Sequence, residues 1–209
     1  MQLRQIGKRL AQELVVRDKV DILAGWILSP NTLAAAGVSV EAKKLMVVMN
    51  AAAAIIPTKS PYIVRTSSSS PITSGTFGTW VSKKVKDAFT MVSDYAPGRD
   101  SEAAFSQAFV AGGGKIVGAV KMPIADPDFS AYVQRAKDAK AEGIYVWIPG
   151  GAQPAALGKA LAEHGMSGTS FSIFSEVNLT DDNALKSMGD SSLGFITVSY
   201  YDWTRIRPK

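Results

Sequence analysis

The chain has 209 residues, enough for one large domain or two small ones, and its 46% hydrophobic and 20% charged residues can build an ordinary globular core. A formal charge of +5 comes from 23 basic and 18 acidic residues, but the basic ones cluster only in pairs such as Lys43-Lys44, so no nucleic-acid partner is expected. With no cysteine and a single histidine, disulfides, thiolate chemistry and Cys- or His-rich metal sites are excluded, and neither metal nor cofactor is expected.

The opening segment "MQLRQIGKRLAQELVVRDK" repeats Leu3, Ile6, Leu10 and Leu14 at helical steps, which predicts an amphipathic helix. It has no apolar stretch followed by a small-residue cleavage site, so the signal of an exported protein is expected to lie outside this sequence. No apolar run anywhere approaches the roughly 18 residues of a membrane-spanning helix.

Short runs rich in Val, Ile and aromatics then recur: "DILAGWIL" (21–28), "LMVVMN" (45–50), "AFTMVS" (88–93), "KIVGAV" (115–120), "GIYVWI" (143–148), "FSIF" (171–174) and "GFITVS" (194–199). Near-continuous apolar runs of this length suit strands buried on both faces of a parallel sheet. Helical patterns lie between them, as where Phe129, Val133 and Ala136 share one face, and glycines end two of them in "VAGGG" and "EHGMSG". Strand–helix–strand repetition predicts an α/β fold with right-handed crossovers and a doubly wound layer. One break occurs at "YIVRTSSSSPITSG" (62–75), a short extended run and a Ser-rich connector, followed by a fresh helix at roughly 73–86. It reads as a boundary between lobes.

In open α/β sheets, ligands collect outside the carboxyl ends of strands, so the loops there are the candidate sites. In "WILSPNTLAAA", Ser29 or Asn31 could cap a helix with Pro30 in its first turn, or the same groups could hold an anion such as a carboxylate. In "VVMNAAAAIIPT", Asn50 ends a strand, and Ala51 and Ala52 either let a ligand approach the backbone or merely make a tight turn. "VSDYAPGRDSEAAF" (92–105) has neither the Gly-rich Lys-Ser/Thr phosphate loop nor a nucleophile elbow, so catalysis is not expected there. Tyr95 and Pro97 are its candidate ligand contacts, with Arg99 and Asp100 read as solvated helix-start residues. The loop "WIPGGAQPAA" offers Gly150 as a backbone lining, or as a simple turn. In "SIFSEVNLTDD", Glu176 lies just beyond a strand, either facing a cleft to receive an ammonium or hydroxyl or standing as an exposed loop acid; Thr180 or Asp181 would cap the helix that follows. His164, next to a helix-stopping glycine, reads as a helix-end residue able to donate to the terminal carbonyls.

Taken in order, "VDILAG…SPNTLAAAGVSVEAKKLMVVMNAA…SPYIVRT", "MVSDYAPGRDSEAAFSQAFVAGGGKIVGAVKMPIADPDFSAYVQRAKDAKAEGIYVWIPGG" and "MGDSSLGFITVSYY" resemble the periplasmic solute-binding proteins of ABC transporters, branched-chain amino acid (Leu/Ile/Val) type. The resemblance runs over essentially the whole chain and rests on the ordered set of segments, with no single diagnostic motif. It implies two α/β lobes of the type I periplasmic-binding architecture, a solute held in the cleft between them by hinge closure, delivery to an ABC permease in the membrane, a periplasmic location and no enzymatic chemistry.

By position, Ser29 and its neighbours and the "NAAA" loop match the family's grip on a ligand carboxylate, and Glu176 matches the acceptor of an α-ammonium. Many amino-acid binders carry Thr or Ser where this chain has alanines at 51–54, and the family's Tyr-Gly pair is here Pro97-Gly98. The implied solute is a small amino acid or an aromatic or other carboxylate.

The same resemblance implies truncation at both ends: 1–66 a partial first lobe, 67–197 the second lobe, and 198–209 the start of a return crossover. The chain alone is therefore expected to bind solute weakly or not at all, and to self-associate through uncovered first-lobe edges. Two other readings compete. One is a ligand-sensing receptor domain of the same fold; the other is an α/β hydrolase, which would need His164 as its base.

Overall fold

In the computed structural model, which describes residues 2–125 and 127–200, the chain forms two compact units, Met1–Ser70 and Pro71–Lys209. Both are built on parallel sheets, as the alternation of strand and helix patterns implied.

The first unit runs α1 (Gln2–Val16), β1 (Ile22–Gly25), α2 (Ser29–Ala42), β2 (Leu45–Val48), a 3-10 turn (Ile56–Lys59) and β3 (Ile63–Arg65). The three strands pair in parallel in the order β1-β2-β3. β1 stops well short of the apolar run 21–28. Gly25 and Trp26 both take positive φ, +125° and +72°, and turn the chain out of the sheet. The short run "IVR" of the expected connector is a true strand, β3.

Leu23, Met46 and Ile63 lie side by side in register and are buried, whereas Ile22, Leu45 and Val64 on the opposite face stay exposed. α1 departs from its sequence pattern too. It packs on α2 through Gly7 and Ala11; a Cβ on Gly7 would sit 3.0 Å from that of Asn31, so glycine permits the close crossing. The Ile6, Leu10 and Leu14 stripe consequently faces outward at about two-fifths exposure. The side chain of Leu3 lies outside the described residues.

The second unit begins as α3 (Ser70–Val81) crosses the junction. It continues through β4 (Asp87–Ser93), α4 (Ala96–Ala111), β5 (Lys115–Met122), α5 (Phe129–Asp138), β6 (Gly143–Trp147), α6 (Gln153–Glu163), β7 (Ser172–Glu176), α7 (Asp182–Met188) and β8 (Ile196–Val198). α3 starts before the expected residue 73 and stops before 86. Pro71 suits a first helical turn, so the last serine of the run joins the helix, and the chain leaves it at Ser82–Lys84 to enter β4.

The sheet order is β5-β4-β6-β7-β8, all parallel. Period-2 alternation along the strands supplies two cores. Phe89, Met91, Ile144, Val146 and Ile173 point to one face, under Phe129 and Val133 of α5 and Leu157 and Leu161 of α6. Ala88, Val92, Tyr145, Trp147 and Phe174 point to the other, under Phe77 and Val81 of α3 and Phe105 and Phe109 of α4.

Helix ends show which caps the sequence identified. Asp181 caps α7, accepting from the N–H groups of Asn183 and Ala184. Gly113 and Gly165 take positive φ after α4 and α6. Ser29 and Asn31, expected as alternative caps of α2, cap nothing: Leu28 occupies that position without a side-chain bond. His164 also works differently from the expectation. Its ring reaches across to α5, hydrogen-bonding Ser130 Oγ at 2.8 Å and Gln134 Oε1 at 3.0 Å, while Lys137 donates to its carbonyl. The return crossover expected at 198–209 lies, beyond Tyr200, outside the described residues.

Candidate functional site

The order β5-β4-β6 in the second unit means that the connections leaving β4 and β6 diverge to opposite faces, into α4 and α6 respectively. Such a switch point leaves a crevice at the carboxyl ends of the two strands. Tyr95 follows β4 and Trp147 ends β6, and their rings meet there at 5.5 Å, tilted by 58°. Tyr95 occupies the cap position of α4, and Pro97 is buried in the helix's first turn. Gly98 is required next to it, because a Cβ there would lie 2.1 Å from the Ser93 carbonyl oxygen. Arg99 turns outward and pairs with Asp94 at 2.9 Å. Gly150 is exposed, beside Gly151 with its positive φ.

Glu176 is the last residue of β7, and it is not the exposed loop acid of one sequence reading: only 8% of it is accessible. Its Oε1 accepts from Ser74 Oγ at 2.5 Å and from Ser101 Oγ at 3.2 Å. Ser74 also donates toward Ser101 at 2.9 Å and accepts from the Tyr145 hydroxyl at 3.0 Å, so a single hydroxyl hydrogen is shared between two acceptors. Burial raises the Glu176 pKa above its ordinary value; the serine and tyrosine hydroxyls and the Trp147 indole oppose that without cancelling it. Trp147 Nε1 acts from close range yet falls outside hydrogen-bond geometry to any acceptor. Burial, helped by the Glu176 charge, pushes the Tyr95 and Tyr145 hydroxyls up as well. No cation forms an ion pair with Glu176 among the described residues.

The first unit has its own strand-end loops. Ser29 is 1% exposed, and its Oγ accepts from the Ala53 N–H at 3.2 Å. Ala51 donates to the Trp26 carbonyl at 3.0 Å, Arg65 donates to the Ala53 carbonyl at 2.7 Å, and Ser70 N donates to the Ala52 carbonyl at 3.1 Å. These bonds fix the alanine loop as a turn with its backbone facing its neighbours. Ala51 and Ala53 are fully buried, Ala52 is partly exposed, and Asn50 is exposed. Pro30 and Asn31 sit half-buried in the first turn of α2.

Among the described residues, seven buried side-chain polar atoms have no hydrogen-bond partner: Trp26 Nε1, Asn31 Oδ1, Ser67 Oγ, Ser70 Oγ, Ser93 Oγ, Trp147 Nε1 and Gln153 Oε1. All of them lie at a strand's carboxyl end or in the loop or first helical turn that follows it. Such atoms each cost about 1–3 kcal/mol and are rare in ordinary interiors, so their confinement to these ends sets the strand ends apart from the rest of the core.

The sequence reading missed Ser74, Ser101, Tyr145 and Trp147. A signal for the serines was present: Ser74 shares a helical stripe with Phe77 and Val81, and Ser101 with Phe105 and Phe109. Hydroxyls on core-facing stripes need a buried partner, and Glu176 is that partner.

The sequence matches the periplasmic binding protein family over residues 4–208. It is 40% identical over 205 residues to the Leu/Ile/Val-binding protein homolog 6 of Brucella melitensis, a match covering 93% of this chain and 50% of the relative. The chain thus spans about half the length of the curated relatives it matches. Among solved structures it is similar to a solute-binding protein of an ABC transporter from Rhodopseudomonas palustris BisB5, in complex with 3,4-dihydroxybenzoic acid: 44% identity, TM-score 0.87, 92% of this chain and 53% of that one. A second, from R. palustris HaA2 in complex with p-hydroxybenzoic acid, shows 37% identity and a TM-score of 0.92 over 98% of this chain and 56% of that one.

Proposed function

The chain belongs to the periplasmic binding protein family, and from that premise we propose that it captures a small hydroxylated aromatic acid as the solute-binding component of an ABC importer. The observation that carries the solute class is the switch-point crevice of the second unit, where the Tyr95 and Trp147 rings converge beside the buried Glu176 carboxyl. Two rings at such an angle suit a flat aromatic solute. Glu176 Oε1 is occupied by serines, and its other oxygen makes no hydrogen bond within the protein, so it is the acceptor left for a solute hydroxyl. The hydroxybenzoates bound by the two R. palustris proteins fit that pattern. Ser29, Pro30, Asn31, Asn50, Ala51 and Ala52 in the first unit, and Pro97 and Gly150 in the second, remain our assigned solute-lining positions. A membrane permease as partner, and a periplasmic location, follow from the same reading.

A second reading, a branched-chain amino acid, is favoured by one observation: Glu176 is a buried carboxyl without a cation, and an α-ammonium would complement it. A thermal-shift and calorimetric panel of 4-hydroxybenzoate, 3,4-dihydroxybenzoate, leucine, isoleucine and valine separates the two. The aromatic acids are expected to raise the melting temperature and the amino acids to leave it unchanged. Binding of leucine without either hydroxybenzoate would establish the second reading instead.

A further inference from the structure

We propose that Ser130, on the helical surface of the second unit, is a nucleophilic hydroxyl that takes the acyl group of small activated esters, with His164 as its base. The fold brings His164, at the end of α6, against α5 and fixes it there. Ser130 Oγ lies 2.8 Å from His164 Nε2, and His164 Nδ1 lies 3.0 Å from Gln134 Oε1. Lys137 donates to the His164 carbonyl at 2.7 Å and holds its backbone as well. Gln134 decides which ring nitrogen carries the proton. Its Nε2 donates to Asp138 Oδ1 at 2.7 Å, so its Oε1, which can only accept, faces the ring. Nδ1 of the neutral imidazole is therefore the donor, and Nε2 presents its lone pair to Ser130 Oγ.

Ser130, His164 and Gln134 thus stand as nucleophile, base and orienting group, each within hydrogen-bond reach of the next. The start of α5 adds a donor for the oxyanion. Asp128 caps that helix and accepts from the Ser130 N–H at 3.1 Å, whereas the next amide, Ala131 N–H, makes no hydrogen bond within the protein. An amide directly after the nucleophile, at a helix start, suits the charge that develops on an attacked carbonyl. Ser130 is exposed, so an acyl donor reaches it from solvent, and a site open to water favours esters whose leaving group departs readily. In the step, Ser130 Oγ bonds to the carbonyl carbon and its proton passes to His164 Nε2. The bond from that carbon to the aryloxide then breaks, the proton leaves with the aryloxide as a phenol, and the acyl group stays on Ser130.

The test treats the folded 209-residue chain with 4-nitrophenyl acetate and with a fluorophosphonate, which serine attacks at phosphorus with loss of fluoride. Peptide mass spectrometry locates each adduct. Both reagents should modify Ser130 in the folded chain and spare it in urea, and Ser130→Ala should lose the adduct. His164→Gln, which keeps hydrogen-bonding groups but supplies no base, should slow labelling about a hundredfold. Gln134→Ala should also slow it and Gln134→Glu restore it, with the melting temperature recorded for each variant. Labelling of Ser130 at the wild-type rate in His164→Gln overturns the proposal. Equal labelling in folded and urea-unfolded chains overturns it too, as does an unmodified Ser130 at millimolar reagent.

Discussion

Glu176 gives the second unit a pH dependence of definite sign. Burial raises its pKa in the folded chain above the ordinary value of 4.5. Folding therefore favours the protonated form, and the stability associated with it is fully present below 4.5 and lost as pH rises through the folded-state value. Glu176→Gln, which keeps an acceptor for Ser74 and cannot ionise, should remove that loss. The difference in melting temperature between wild type and variant is expected to move against wild type as pH rises above 4.5. A difference independent of pH would mean that folding does not shift the Glu176 carboxyl. The sequence placed Glu176 correctly at the end of a strand pattern, but its burial depends on Ser74, 102 positions away, and on Ser101. Neither is recognisable as a site residue until the helices are laid on the sheet. The position of Tyr95 between strand and helix was legible, because the apolar run before it and Pro97 after it mark both ends.

At the scale of the elements, α4 depends on how closely its first turn approaches β4. Gly98 allows the Ser93 carbonyl to come within the space a Cβ would occupy, at 2.1 Å. The obstacle is backbone, which cannot rotate away as a side chain would. Gly98→Ala should therefore destabilise the chain by roughly 3 kcal/mol, at the upper end for overpacking, and displace Tyr95 from Trp147. Denaturant unfolding measures the first effect and tryptophan fluorescence the second; a change below about 0.5 kcal/mol, typical of a surface site, would contradict the close approach.

All seven apolar runs read from the sequence became strands, because period and composition agree in each. Their ends were less legible. β1 yields to the positive φ of Gly25 and Trp26, an override by backbone conformation that a composition of Leu, Ala, Gly and Trp does not announce. α1 shows the opposite case, in which a clear stripe of Ile6, Leu10 and Leu14 was overridden by a tighter contact through Gly7 and Ala11.

For the molecule as a whole, the two sheets differ in how they are covered. The second unit buries apolar side chains on both faces, as parallel sheets generally do. The first buries Leu23, Met46 and Ile63 and leaves Ile22, Leu45 and Val64 exposed at 54%, 38% and 50%. An apolar sheet face together with the outward stripe of α1 is a surface that favours association. We expect the 209-residue chain to sediment as a concentration-dependent mixture of monomer and oligomer, and Val64→Lys with Leu45→Lys to shift it toward monomer. A single monomeric boundary at every concentration would argue against this. The sequence could not show the asymmetry, since "LMVV" and "YVW" are equally apolar and only the helices packed on them tell one sheet from the other.

The bridge at His164 makes the molecule unusually simple to follow by spectroscopy. It is the only imidazole in the chain, and both of its ring nitrogens are engaged with α5 from the end of α6. One-dimensional proton NMR should thus show a single histidine Cε1–H line whose position reports whether those two helices are docked. Followed through a denaturant series, that line reads the loosening of one helix pair separately from the collapse of the whole chain.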